Sequence, residues 1–167
     1  ELTFQVAMRT GVSLGAPIVE RVSARLSQIH RYPVKSCRGA AVDSAVVEPW
    51  GLAGDRRWML VDEGGEVLTA REVNRLLLFT PEITASGLRL NAPELPPIEV
   101  AAPDGSAQTP VSLWSSSLSA AVAGPEADAW FAKALGVPAR LVYLDDPTQR
   151  PTSPGYGEPT DRVSFAD

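Results

Sequence analysis

A chain of 167 residues, 44% hydrophobic and 21% charged, has the length and composition of one globular domain or one and a half, which excludes a collagen, a coiled coil and a wholly disordered chain. No apolar run approaches the ~18 residues of a membrane helix, and one cysteine, Cys37, with one histidine, His30, excludes an intramolecular disulfide and a closed Cys/His zinc site. The net charge of -5 disfavours general nucleic-acid binding, yet residues 21–42 carry Arg21, Arg25, Arg31, Lys35 and Arg38 and no acidic residue, which fits a local anion site better than a long basic face.

Residues 1–22 have no charged start followed by a continuous apolar core and no clear cleavage site, so they read as an atypical N-terminal extension and not as a signal peptide. Short runs of β-branched or alternating apolar residues, punctuated by Gly, Pro and Asp, then predict strands over 24–31, 41–48, 57–62 and 66–69. Asp62-Glu63-Gly64-Gly65 supplies a hairpin turn before the fourth of these, its glycines accepting positive φ. Further strands are predicted over 76–84, 88–92, 98–102 and 108–114, with Asp104-Gly105 as another turn. A helix is predicted over Pro125–Leu135: Pro125 suits the first helical position, Gly136 follows the end, and Ala127, Trp130, Phe131, Ala134 and Leu135 form one apolar stripe. A strand over 139–144 comes next. Residues 145–162, with four prolines and two glycines, read as a linker, and 163–167 alternate like the first strand of a further domain beyond the chain. The expected fold class is mainly β with one or two helices (α+β), a small β-barrel domain over 23–144 with the Pro125–Leu135 helix packed on it.

Three loops carry candidate chemistry. In the first, Pro33 fixes its own φ and extends Tyr32, Gly39 permits a sharp exit, and Lys35, Ser36 and Arg38 between them offer a compact charge, a hydroxyl and a planar fork. That set suits a phosphate, and it equally suits a solvated surface turn. In the second, residues 50–58, strand alternation sends Arg56 and Arg57 to opposite faces, so one can face a cleft while the other pairs with a carboxylate such as Asp55 or stays in water. In the third, Thr69 and Arg71 stand at a strand end and either complete an anion site or leave Arg71 in an exposed pair with Glu72. Cys37 reads as a packed cysteine, because no base is positioned to activate it, and His30 as a strand residue. Trp58, Trp114 and Trp130 read as core or near-core aromatics.

The segments YPVKSCRG, GLAGDRRWMLVD and LTAR, in this order and spacing, resemble the N-terminal β-barrel domain that precedes a MOSC (molybdenum cofactor sulfurase C-terminal) domain, as in bacterial relatives of the mitochondrial amidoxime-reducing component. The resemblance covers residues 24–167. It implies a cytoplasmic two-domain oxidoreductase that holds a molybdenum cofactor (molybdopterin) between the barrel and a MOSC domain. Such an enzyme reduces small N-hydroxylated substrates with electrons from a separate redox partner protein, without nucleic acid or membrane. By position, the resemblance implies that Lys35 and Ser36 hold the cofactor's phosphate end, that Arg56 touches the cofactor, and that Arg71 is a further candidate. The family's metal-binding cysteine lies in the MOSC domain, so Cys37 is not the metal ligand, and residues 1–167 alone are expected to be catalytically silent. Two alternatives stand beside this: the cofactor-handling domains of a molybdenum cofactor sulfurase, and a non-catalytic barrel that binds an anion or a protein. The cofactor reading expects Lys35 and Arg56 in one cleft, and the binding module expects them to point apart.

Overall fold

The computed structural model describes residues 25–153 and 155–166, so the expectation for residues 1–22 lies outside the described residues. In chain order the strands are β1 (Ile29–Arg31), β2 (Ala40–Val42), β3 (Val47–Glu48), β4 (Gly51–Leu52) and β5 (Trp58–Val61). A 3-10 helix (Asn74–Leu78) leads into β6 (Thr80–Ile83), β7 (Gly87–Ala92) and β8 (Leu95–Ala101). Then come β9 (Gln108–Leu113), β10 (Ser116–Val122), helix α1 (Pro125–Leu135), β11 (Arg140–Tyr143) and a short 3-10 turn (Pro147–Gln149). The fold is mainly β with one α-helix, a small barrel domain of the expected class.

The barrel is built on the antiparallel sheet β5-β11-β10-β9. Residues 65–68 join its two edges. On one side the Asp62 N–H donates to the Glu66 carbonyl at 2.9 Å and the Leu68 N–H to Leu60 at 2.8 Å; on the other, the Val67 N–H donates to Ser112 at 3.1 Å and the Ser112 N–H to Gly65 at 2.8 Å. Gly65 is required at this closure, since its φ is 85° and a Cβ there would lie 2.6 Å from the Pro110 carbonyl oxygen. Met59 and Val61 of β5, Val111 and Leu113 of β9, Ala120 of β10 and Val142 of β11 fill the interior. The alternate residues Trp58, Leu60 and Leu141 face outward into a second core with Leu88, Leu90 and Val100 of the β6-β7-β8 sheet and Ala127, Phe131 and Ala134 of α1. The helix is capped as its sequence requires: Pro125 follows the N-cap Gly124, and Gly136 adopts the left-handed conformation with φ 75°.

Several expected strands differ. The 41–48 run is interrupted between β2 and β3, and 66–69 contributes only bridges at Glu66 and Val67. The start of the 76–84 run is a 3-10 turn, because Leu76 and Phe79 are buried while Leu77 and Leu78 are exposed, a spacing of three and not two. Strand β10 has no counterpart in the sequence reading. Its residues SSLSAAV bury the small Ala120 and Ala121, which give little hydrophobic signal. The 163–166 segment forms no strand in this structure. Phe165 instead inserts fully buried into the barrel interior, its N–H donating to the Arg56 carbonyl at 2.9 Å. The buried Arg150 guanidinium donates to the carbonyls of Ser164 and, at 2.6 Å, Ala166.

One titratable group ties the helix to the barrel. The Asp128 carboxylate accepts the Leu141 N–H at 3.0 Å and lies 3.8 Å from Arg140. Burial pushes its pKa up, against the opposing pull of the Leu141 hydrogen bond and the Arg140 charge. The folded protein thus holds this proton more tightly than the unfolded chain, so the contribution is complete below the unfolded pKa and is lost as pH rises through the raised folded value. Asp128→Asn keeps the acceptor and carries no charge. Its thermal midpoint is expected to match wild type near about pH 4 and to exceed it near about pH 7.

Candidate anion site at three loops

The first two sequence motifs lie side by side because the chain 32–35 runs parallel to 56–58. The Arg56 N–H donates to Tyr32 at 2.7 Å, the Trp58 N–H to Pro33 at 3.2 Å and the Lys35 N–H to Trp58 at 2.8 Å. The chain then reverses in a turn closed by the Cys37 N–H on the Val34 carbonyl at 3.2 Å, with Ser36 at φ 65°. Val34 and Cys37 enter the outer core. Burial pushes the Cys37 thiol up to about 12, so no thiolate nucleophile forms near neutrality, as the reading of a packed cysteine requires. His30 is an exposed residue of β1.

The third motif is organised by Thr69. Its hydroxyl and its N–H both meet the Glu72 carboxylate, at 3.3 and 3.4 Å, and its carbonyl accepts from Glu72 and Val73. The Glu72 carboxylate accepting the Thr69 N–H is one half of a capping box, and the backbone turn 69–73 supplies the rest. Glu72 is thereby bound to Thr69, and Arg71 between them projects elsewhere. Its guanidinium carbon lies 5.7 Å from the centroid of the Trp114 ring, and the Lys35 ammonium nitrogen lies 5.9 Å from that same centroid. Lys35 is only 5% exposed. Two of the expected anion-binding cations, from loops 36 residues apart in sequence, therefore meet at one indole, with Ser36 in the same turn as Lys35.

Trp114 is the residue that the sequence reading misplaced. Trp58 is buried and Trp130 packs on the outer core, as expected, whereas Trp114 is 53% exposed. Leu113 pairs with Ser116 across the β9-β10 hairpin, so Trp114 and Ser115 form its two-residue tip, and Trp114 sits there at φ 56°. Recognising Ser116–Val122 as a strand would have placed this tryptophan on a turn. A bulky aromatic in the left-handed region costs about 1–2 kcal/mol. Among the described residues four non-glycine positions adopt such a φ: Ser36 and Arg56 in the first two loops, Trp114 at the hairpin tip beside Lys35 and Arg71, and Glu94.

Arg56 takes a different set of partners. Its guanidinium lies 2.5 Å from the Asp55 carboxylate and 5.1 Å from the Tyr32 ring centroid, while Asp55 also accepts the Tyr32 N–H at 2.7 Å. The sequence reading gives Asp55 to the arginine of the pair that does not face a cleft, and the residue that meets Asp55 is Arg56, the one the resemblance implies as a cofactor contact. Arg57 is structural: it donates to the carbonyls of Leu144 and Asp145 and lies 5.9 and 5.0 Å from the ring centroids of Trp50 and Tyr143. Lys35 and Arg56 thus occupy adjacent hydrogen-bonded segments and close on different partners. Among the described residues no group of three or more His, Cys, Asp or Glu side chains could hold a metal ion, and no helix is long and apolar enough to cross a membrane.

The barrel, its outer helix and the loop order agree with a family comparison: the MOSC N-terminal beta barrel domain matches residues 23–138. The chain belongs to this family. This MOSC N-terminal barrel is 30% identical over 134 residues to mitochondrial amidoxime-reducing component 1 of Xenopus laevis, covering 75% of the chain and 39% of that protein. It is 33% identical over 127 residues to mitochondrial amidoxime reducing component 2 of Rattus norvegicus, covering 72% of the chain and 38% of that protein. It is 26% identical over 138 residues to the molybdenum cofactor sulfurase of Homo sapiens, covering 80% of the chain and 16% of that protein. The chain therefore spans about two-fifths of the length of the amidoxime-reducing relatives, 39% and 38%.

Proposed function

We propose that this barrel forms one wall of a molybdenum-cofactor site, the wall that holds the cofactor's phosphate end, in an oxidoreductase that reduces N-hydroxylated compounds. The observation that carries the reading is the meeting of Lys35 and Arg71 at Trp114, beside the left-handed Ser36 turn, in a chain whose relatives are named for amidoxime reduction and for the molybdenum cofactor. These residues fit the group. A phosphate takes a point charge from Lys35, a hydrogen bond from the Ser36 hydroxyl and a planar fork from Arg71, and strained turns present these groups without reorganisation on binding. Arg56, held against Asp55 and Tyr32, is a fixed cation on the neighbouring segment and contributes orientation more than reach. When bound, the cofactor supplies the metal at which the substrate N–O bond is reduced, with electrons from a separate redox partner protein. The protein's own part is position and electrostatics.

In full-length protein produced in a host that makes the cofactor, molybdenum and pterin are expected in stoichiometric amount and are expected to be lost in the Lys35→Ala/Arg56→Ala double variant. Wild-type protein that stays empty in such a host favours a non-catalytic anion-binding barrel instead. The alignment with human molybdenum cofactor sulfurase over 80% of the chain supports a second reading, cofactor handling through the same residues. A pyridoxal-phosphate domain upstream in the same polypeptide selects that reading.

A further inference from the structure

We infer that Trp114 is the aromatic wall of this site and stacks against the flat ring system of the ligand whose negative charge Lys35 and Arg71 take; the inference rests on the reading of this site as a cofactor phosphate site. Three observations lead to it. The indole stands at a hairpin position where glycine or asparagine is the unstrained choice, at φ 56°. It keeps 53% of its surface exposed, whereas Trp58, Phe79 and Phe131 are buried in the outer core. Cations from two separate loops lie within 6 Å of its centroid, at 5.7 and 5.9 Å. Cations over a π face fix the ring's orientation, and an indole so held presents the rest of its surface for stacking.

The chemistry selects the occupant. Phosphate alone needs the cations and has no use for an exposed indole, and an apolar ring has no use for the cations. A planar heteroaromatic ring joined to an anion uses both, as a pterin does. Stacking of this type changes affinity by about tenfold or more when the aromatic partner is removed.

The test uses full-length protein made in a host that cannot synthesise the cofactor, titrated separately with pterin-6-carboxylate and with inorganic phosphate, followed by calorimetry and tryptophan fluorescence. Trp114→Gly suits the left-handed turn and removes the ring, and Trp114→Phe keeps a flat ring. Pterin-6-carboxylate is expected to quench wild-type fluorescence and to bind Trp114→Gly about tenfold more weakly or worse, with Trp114→Phe near wild type. Phosphate affinity is expected to fall less in Trp114→Gly than pterin-6-carboxylate affinity does, and the thermal midpoint of the variant to equal or exceed that of wild type. Equal pterin-6-carboxylate affinity in wild type and Trp114→Gly overturns the inference while phosphate binding that depends on Lys35 keeps the phosphate site. Ring binding that needs Trp114 without any phosphate binding supports the stacking wall and removes the phosphate reading. No binding of pterin-6-carboxylate to wild type overturns the stacking wall.

Discussion

Phe165→Ala is expected to lower the unfolding free energy by about 3–5 kcal/mol, a loss of roughly 10 °C in midpoint for a domain of this size. Phe165 is fully buried in the barrel interior, against side chains of β5, β9, β10 and β11 that already pack in register. Those strands are joined to one another by hydrogen bonds around the closed sheet and cannot collapse into the space the ring leaves, so the cavity term is retained. The same segment is held from outside by Arg150, whose guanidinium donates to the Ser164 and Ala166 carbonyls. Arg150→Met removes those donors and leaves the carbonyls to find others. Because both side chains secure one segment, the two substitutions are expected to be less than additive in a double-mutant cycle measured by denaturant unfolding. Strict additivity would show that the 164–166 segment stays in place without its ring. The loss also reaches the candidate site, since the Phe165 N–H donates to the carbonyl of Arg56, a residue held at φ 47°. Amide exchange in the 55–58 turn is expected to quicken in Phe165→Ala.

Lys35→Glu is expected to reduce cofactor loading of the full-length protein to background, a change of about a hundredfold or more in affinity for the phosphate end. The substitution removes a cation that is 5% exposed and puts a like charge against an anionic ligand. In so dry a position the exchange of attraction for repulsion is weakly screened. A buried carboxylate beside Trp114 could also disturb the fold, so Lys35→Gln serves as the neutral companion. It is expected to keep the near-ultraviolet dichroism of wild type and still to lose most of the cofactor. Metal and pterin assays on purified protein, together with the dichroism, separate the two causes. Full loading of Lys35→Gln removes Lys35 from the site.

The legible parts of the fold were those with a local physical cause. The helix α1 was readable to its end residues because Pro125, the apolar stripe and Gly136 are each local signals. Strands β7, β8, β9 and β11 were readable from alternation and bounding turns. The 76–79 run misled because four consecutive apolar residues carry no period, and the 3-10 turn Asn74–Leu78 decided the spacing. Strand β10 was silent because its buried residues are Ala120 and Ala121 and the rest are mostly serines, which carry little hydrophobic signal. Its omission hid the hairpin, and with it the reason for Trp114.

By itself the sequence determined the β class, the single capped helix, the family resemblance through three short segments, and Lys35, Ser36, Arg56 and Arg71 as the cations and hydroxyl worth placing. The β class, the helix and the Lys35-Ser36 loop follow from spacing, turn chemistry and residue type, which act over a few neighbouring residues, whereas the choice of Arg56 over Arg57 came from the resemblance. The tertiary structure decided which of them meet: Lys35 and Arg71 at Trp114, Arg56 at Asp55 and Tyr32, and Phe165 inside the barrel. Those encounters depend on closure of the sheet through residues 65–68, which brings β5 beside β9 and so carries residues 35, 71 and 114 to one place. No local propensity encodes that closure, because its hydrogen bonds and its packing form only when all the strands are in register at once.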